Sequence, residues 1–316
     1  MNKKANEILT EVKKNVRGKD DIIEKVLISI LAKGHVLLED VPGVGKTTMA
    51  LSFSRVMDLD FKRIQFTPDV TPSDVIGFTM YDVKAEKFVF KTGAVMSNLV
   101  LADEINRTSS KTQSALLEVM EEHQVTVDGQ TYKVPEPFFV IGTQNPIGSA
   151  GTQMLPNSQL DRFMMCLEIG YPSKESLVDI LRDRQSSKPL EKLNKIVTKE
   201  ELMTMQEDVM KITIHDDILM YIAELCEATR HHEMIELGLS PRGALSISLL
   251  AKSRAYVSGR DFVTPEDVLA IFPDAAAHRL ILKNTARLAN QHARLIVEQI
   301  TKEVKTGLAK EVDKNA

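Results

Sequence analysis

His35-Val36-Leu37-Leu38-Glu39-Asp40-Val41-Pro42-Gly43-Val44-Gly45-Lys46-Thr47-Thr48 is the stretch that decides the fold. It opens with an apolar run short enough to be a buried strand. Glycines follow where the chain must turn tightly, and Lys46 to Met57 then has helical character. A strand, a glycine turn and a helix in that order aim backbone N–H groups and the positive end of a helix dipole at a bound phosphate. Lys46 would reach the β- and γ-phosphates of a nucleotide, and Thr47 would bind Mg²⁺. The full G-x-x-x-x-G-K-T pattern has glycine where this chain has Asp40, so the first turn of the loop departs from the pattern while Gly43 to Thr47 keeps it.

Four more strand-like runs follow: Phe61 to Phe66, Leu99 to Asp103, Phe138 to Gly142 and Met164 to Ile169. Asp20 to Lys33 and Ser110 to Glu122 have helical periodicity. Strands alternating with helices predict a mostly parallel sheet covered on both faces. Gln124 to Val134, with Asp128-Gly129 between alternating residues, reads as a hairpin, and Phe78 to Phe90 as another around Val83 to Lys87. Past Tyr171-Pro172 no strand-like run remains. Ser173 to Arg184, Lys199 to Val209, His215 to Arg230, Pro241 to Val257, Thr264 to Ile271 and Asn284 to Val304 are the expected helices. Thr264-Pro265-Glu266-Asp267 starts one of them with a capping hydroxyl, a first-turn proline and acids at the positive dipole end. Two domains are expected, 1–171 (α/β) and 172–316 (helical).

Leu99-Val100-Leu101-Ala102-Asp103-Glu104 ends an apolar strand in two carboxylates, at the sheet edge where open α/β sheets bind ligands. Asp103 would hold Mg²⁺ through water and Glu104 would polarise an attacking water. Gly142-Thr143-Gln144-Asn145-Pro146 ends another strand, and an amide there can reach the γ-phosphate; Asn145 is the first choice and Gln144 the second. Arg162, in Leu160-Asp161-Arg162-Phe163, reads either as an ion pair with Asp161 or as an arginine aimed at a neighbouring subunit's phosphate. Arg242 follows the cap Ser240 and Pro241 in a first helical turn, where the dipole disfavours a cation, so it reads either as solvated or as facing an anion.

Composition bounds the remaining classes. The 316 residues are 43% hydrophobic with a net charge of −4, which excludes a mainly disordered chain and a strongly basic whole-protein field. Cys166 and Cys226 lie far apart and read as reduced core thiols, and His231-His232-Glu233 as a polar helix end rather than a metal site. Met1 to Val12 is charged and Val26 to Leu31 is too short to span a bilayer, so a cytoplasmic protein with no stable membrane insertion is expected.

These motifs in this order resemble the AAA+ ATPases and, within them, the MoxR family, from about Val16 to Leu282. Ile64 to Asp69 with Pro72 to Gly77, Asp103 to Arg107 with Gln113, Leu116, Leu117 and Met120 to Glu122, Gly142 to Pro146, Leu155-Pro156 with Gln159 to Phe163, and Ser240 to Arg242 carry the resemblance. It implies an AAA+ core with a five-stranded parallel sheet in the order 5-1-4-3-2 and a helical lid. It makes Pro42 to Thr48 the Walker A loop and Asp103 and Glu104 the Walker B acids, with Thr47 and Asp103 on Mg²⁺. Asn145 becomes sensor 1, Arg162 the arginine finger and Arg242 sensor 2, while Val16 and Gly18 lie beside the adenine. The Phe78–Phe90 hairpin becomes a helix-2 insert and Gln124–Val134 the hairpin before sensor 1. In this branch the insert can shift the lid, so sensor 2 can serve a neighbouring subunit. The implied activity is ATP hydrolysis in a hexameric ring that remodels or matures other proteins, often with a von Willebrand factor A domain partner. The alternatives are a chelatase-type or nucleic-acid-directed motor and a nucleotide-gated scaffold with little turnover. The Gln124–Val134 hairpin carries only Lys133 as a base, which disfavours nucleic acid.

Overall fold

The computed structural model describes residues 1–41, 43–145, 155–186 and 189–304. Five strands, β1 (Val36–Glu39), β2 (Phe61–Gln65), β3 (Leu99–Asp103), β4 (Phe139–Gln144) and β5 (Met165–Leu167), pair in parallel in the order β5-β1-β4-β3-β2. A parallel strand covered on both faces must be apolar at successive positions rather than alternate ones. Val36-Leu37-Leu38 and Leu99-Val100-Leu101-Ala102 satisfy this and are fully buried. Their alternate side chains enter two cores: Val36, Leu38, Leu99 and Leu101 face one, and Leu37, Val100 and Ala102 the other. β2 lies at the edge, with Lys62, Arg63 and Gln65 exposed, as an unpaired edge requires.

Helices α1 (Lys3–Lys13), α2 (Asp20–Leu31) and α3 (Lys46–Val56) cover the first core; α4 (Pro72–Ile76), α5 (Ser110–Glu122) and α6 (Asn157–Leu160) border the second. Two hairpins stand apart from the sheet, Gly77–Asp82 with Lys87–Thr92 and Gln124–Val127 with Gln130–Lys133. Asp128 (φ 48°) and Gly129 (φ 78°) form the two-residue turn that their sequence signals. The hairpins meet where Phe90 stacks on Tyr132, with ring centroids 4.1 Å apart.

The C-terminal half contains α7 (Lys174–Ser186), α8 (Lys199–Lys211), α9 (Asp216–His231), α10 (Pro241–Ser258), α11 (Pro265–Ala276), α12 (Asn284–Leu288) and α13 (Ala293–Glu303). Thr264 and Asp267 form the capping box that starts α11. The chain changes character near Tyr171, yet the apolar interior continues, because Leu202, Ile247 and Phe272 share one core with Ile23, Leu27 and Met49. Polar ties reinforce this join: the Gln206 amide donates to the Ile30 carbonyl at 2.8 Å and the Ser253 hydroxyl to the Ile28 carbonyl at 2.7 Å. Among the described residues, no helix is long and apolar enough to cross a membrane.

Three expectations are corrected. Met1 to Val12 is charged, yet its Ala5, Ile8, Leu9 and Val12 recur at helical spacing and are buried along α1, which the Asn2 side chain caps. The helical half does contain strands: Ile235–Leu237 pairs antiparallel with Ile281–Leu282, segments too short to leave an alternating pattern. Asn284 to Val304 is two helices rather than one, broken at Asn290, whose left-handed φ of 55° is a conformation asparagine tolerates.

His35 enters β1 fully enclosed, and its surroundings fix its tautomer. The Val140 N–H donates to Nδ1 at 3.1 Å, so Nε2 carries the proton given to the Met120 carbonyl at 3.0 Å. Burial, with lesser contributions from His123 and Arg242, pushes its pKa down to about 4, while the bond to Met120 opposes the shift. The folded pKa lies below the unfolded one, so this contribution to stability is full above about pH 6.5 and is lost as pH falls toward 4. Between pH 7.5 and 4 the wild-type chain should lose about 3 kcal/mol that a His35→Gln variant does not, measured by urea unfolding. Parallel pH profiles for the two proteins would contradict this.

Candidate nucleotide site

The loop after β1 places its glycines where only glycine is comfortable. Gly43 (φ 88°) and Gly45 (φ 105°) lie in the left-handed region, and the space beside each Cα is open. Gly45 precedes α3, which has no side-chain cap at its start, so its first N–H groups are free to bind an anion. Lys46 Nζ donates to the Asp40 carbonyl at 2.6 Å. Burial pulls its ammonium below the ordinary lysine value, against the opposing charges of Asp40, Asp103 and Glu104. Asp40, the departure from the glycine pattern, has a structural use: its carboxylate accepts from the Val41 N–H at 2.7 Å and from the Gly170 N–H, tying the loop to the end of the sheet domain. Pro42 lies outside the described residues.

The strand ends supply the acids. One hydroxyl couples them: Thr143 donates to Asp103 Oδ1 at 2.6 Å and accepts the Glu104 N–H at 2.9 Å. Asp103 Oδ2 also pairs with Arg63 at 2.7 Å. Glu104 has a left-handed backbone (φ 57°), and its Oε2 accepts from Gln65 and Arg107, both at 2.8 Å. Gln144 is buried and turned to Glu39, whereas Asn145 lines the cavity, so position favours Asn145 of the two amides.

Two cavities flank the loop, and Gly43, Gly45 and Thr48 touch both. One, of about 360 Å³, is lined by Lys46, Thr47, Asp103, Glu104 and Asn145. The other, of about 370 Å³, is lined by Val16, Val44, Leu177 and Ile180 and is mostly apolar, as a nucleobase requires. Gly18 does not line it, although Arg17 and Lys19 on either side do, and a Cβ at Gly18 would collide with the Ser176 side chain. A phosphate cradle joined to an apolar slot fits a nucleoside triphosphate. The oxygen donors Thr47 and Asp103 fit Mg²⁺, which needs few protein ligands when phosphate oxygens complete its shell.

Arg162 and Arg242 line neither cavity. They converge instead on Glu121 at the end of α5, Arg162 Nε at 3.2 Å from Oε2 and Arg242 Nη1 at 3.1 Å from Oε1. Of the two readings of Arg162, the ion pair with Asp161 is not found among the described residues, where Asp161 pairs with Arg279 at 2.6 Å. Arg242 does face an anion, the carboxylate of Glu121. The sequence gives no site role to Arg63, Gln65, Arg107, Glu121, Thr143 or Arg279, although Gln65, Arg107, Glu121 and Thr143 fall within the stretches that carry the resemblance. Arg63 and Gln65 had a signal: two residues apart on β2, they share a face, and Gln65 sits opposite Asp103 in the register.

The family described as "ATPase family associated with various cellular activities (AAA)" matches residues 35–165, and "AAA lid domain" matches residues 227–300. An uncharacterised protein of Bacillus subtilis (strain 168), YeaC, is 47% identical over 91% of this chain and 90% of its own length. Chaperone MoxR1 of Mycobacterium tuberculosis is 40% identical over 93% of this chain and 80% of its own. The crystal structure of a Cytophaga hutchinsonii protein, provisionally assigned as an ATPase, superposes with a TM-score of 0.90 at 40% identity, covering 96% of this chain and 94% of that one.

Proposed function

Because this chain belongs to the MoxR family of AAA+ ATPases, we propose that it hydrolyses ATP at a site completed by a neighbouring subunit and spends the energy on remodelling partner proteins. One observation carries the shared site: Arg162 and Arg242 sit together on Glu121, and neither lines the cavity that holds Lys46, Asp103 and Glu104. Both guanidinium groups are half-buried and lie outside the cavity of their own subunit, which supports a role toward a neighbour's phosphate. A hexameric ring goes with this reading.

The chain's own residues divide the work. Gly43, Gly45 and the start of α3 give N–H groups to the phosphates, and Lys46 leaves the Asp40 carbonyl for the β- and γ-oxygens. Thr47 and, through water, Asp103 would hold Mg²⁺, which would neutralise charge on the phosphates. Glu104 takes a proton from the attacking water, Asn145 donates to the γ-phosphate, and the arginines stabilise charge that grows as the bond to the leaving oxygen breaks. Val16 and Val44 pack against the base.

A protein target is supported by the name of the Mycobacterium tuberculosis relative and by the first hairpin, whose Val83 and Phe88 are 79% and 73% exposed. A von Willebrand factor A domain protein is the partner this reading expects. The second hairpin's single base, Lys133, favours protein over nucleic acid.

The test is ATP binding and phosphate release by the purified chain and by Lys46→Ala. Removing one charge-assisted contact should weaken ATP about 10- to 100-fold. Unchanged affinity would remove the loop from the account.

A further inference from the structure

Each of the two arginines is flanked by residues that one buried group holds in place. Arg279, in the turn between α11 and α12, has a side chain only 2% exposed. Its Nε donates to Asp161 Oδ1 at 2.6 Å. Its Nη1 donates to the carbonyls of Met164 (3.1 Å) and Ala275. Its Nη2 donates to the carbonyls of Phe163 (2.8 Å) and Asp161 (3.2 Å). Arg162 therefore projects from a backbone pinned immediately before and after it. The second oxygen of Asp161 accepts from the Ser240 hydroxyl at 3.1 Å, and that same hydroxyl caps α10 by accepting the Gly243 N–H at 3.1 Å. A Cβ on Gly243 would come 3.3 Å from Arg279 Cδ, so the start of α10 rests on the Arg279 stem. Arg242 lies between Ser240 and Gly243. One ion pair, buried on its Arg279 side, thus registers the segment bearing Arg162 with the helix turn bearing Arg242.

We propose that Asp161 and Arg279 are positioning residues that hold Arg162 and Arg242 as one two-pronged fork for a neighbouring subunit's transferring phosphate. This rests on the shared-site reading above. The pair touches no substrate; it acts through the geometry of the fork. A planar guanidinium with every N–H engaged suits the task, because it fixes Asp161, Phe163 and Met164 on one segment to Ala275 of α11 at once.

The test pairs inactive subunits. Arg279→Gln and Asp161→Asn should bind ATP within about twofold of wild type, because the cradle belongs to the same subunit, yet turn over about 10²-fold more slowly, the cost of an ångström-scale misplacement. Each is mixed 1:1 with Glu104→Gln, which keeps its arginines and lacks the water-activating carboxylate. Intact arginines beside intact cradles occur at about a quarter of randomly formed interfaces, so activity should return to about that share of wild type. The same mixture made with Arg162→Ala is the control. If Arg162→Ala is rescued and neither positioning variant is, the proposal is wrong and the shared site stands. If Arg162→Ala is not rescued either, the shared site falls and the proposal falls with it. Wild-type turnover in Arg279→Gln and Asp161→Asn would also overturn it. Should Arg279→Gln fail to fold, the isosteric Asp161→Asn decides alone.

Discussion

Glu104→Gln should bind ATP as the wild type does and hydrolyse it about 10²- to 10⁴-fold more slowly, the usual worth of a positioned general base. The strand end explains why the carboxylate matters. Thr143 fixes the Glu104 N–H and Asp103 together, so both acids leave β3 in a set geometry, and both line the cavity with Lys46. Glutamine keeps the side chain's shape and can still meet Gln65 and Arg107. The lost ion pair with Arg107 is partly exposed and worth at most about 1 kcal/mol, too little to slow the reaction by orders of magnitude through stability. A steady-state rate for Glu104→Gln within a few-fold of wild type would assign the water to another base.

Arg162→Ala should lose about 10³-fold or more in turnover, the worth of an arginine that meets the transferring phosphate. Its own subunit should still bind ATP, because Arg162 lies outside both cavities. Stability again separates the explanations. The pair with Glu121 is half-exposed and worth at most about 1 kcal/mol, and Arg242 keeps Glu121 paired when Arg162 is removed. The variant should therefore melt within about 4 °C of wild type. Loss of activity together with loss of ATP affinity, or a collapse in melting temperature, would make Arg162 a structural residue.

What the sequence makes legible here is local. The loop from Asp40 to Thr47, the turn at Asp128-Gly129 and the cap at Thr264 each contain their whole cause within a few residues. The sheet strands are equally plain, since burial on both faces writes an uninterrupted apolar run at Val36 to Leu38 and at Leu99 to Ala102. What stayed hidden depends on distant partners. Arg279 lies 118 residues from Asp161, and nothing in His278-Arg279-Leu280 announces a guanidinium that is fully engaged and out of water. Glu121 looks like any acid on an exposed helix end until two arginines, one of them 121 residues away, arrive beside it. Thr143 stands out less than the two amides beside it, because a hydroxyl that bridges two strand ends leaves no periodicity in the sequence. The short pairing of Ile235–Leu237 with Ile281–Leu282 has the same character, a long-range contact between segments of two or three residues.

The central claim is that a phosphate cradle on one subunit is completed by arginines from another. Mixing Glu104→Gln with Arg162→Ala tests it most directly, because each variant lacks what the other supplies. Each protein alone should be nearly inactive. The 1:1 mixture should recover up to about a quarter of the wild-type rate, since about one interface in four joins an intact cradle to intact arginines. A mixture no more active than the average of its two components would contradict the shared site.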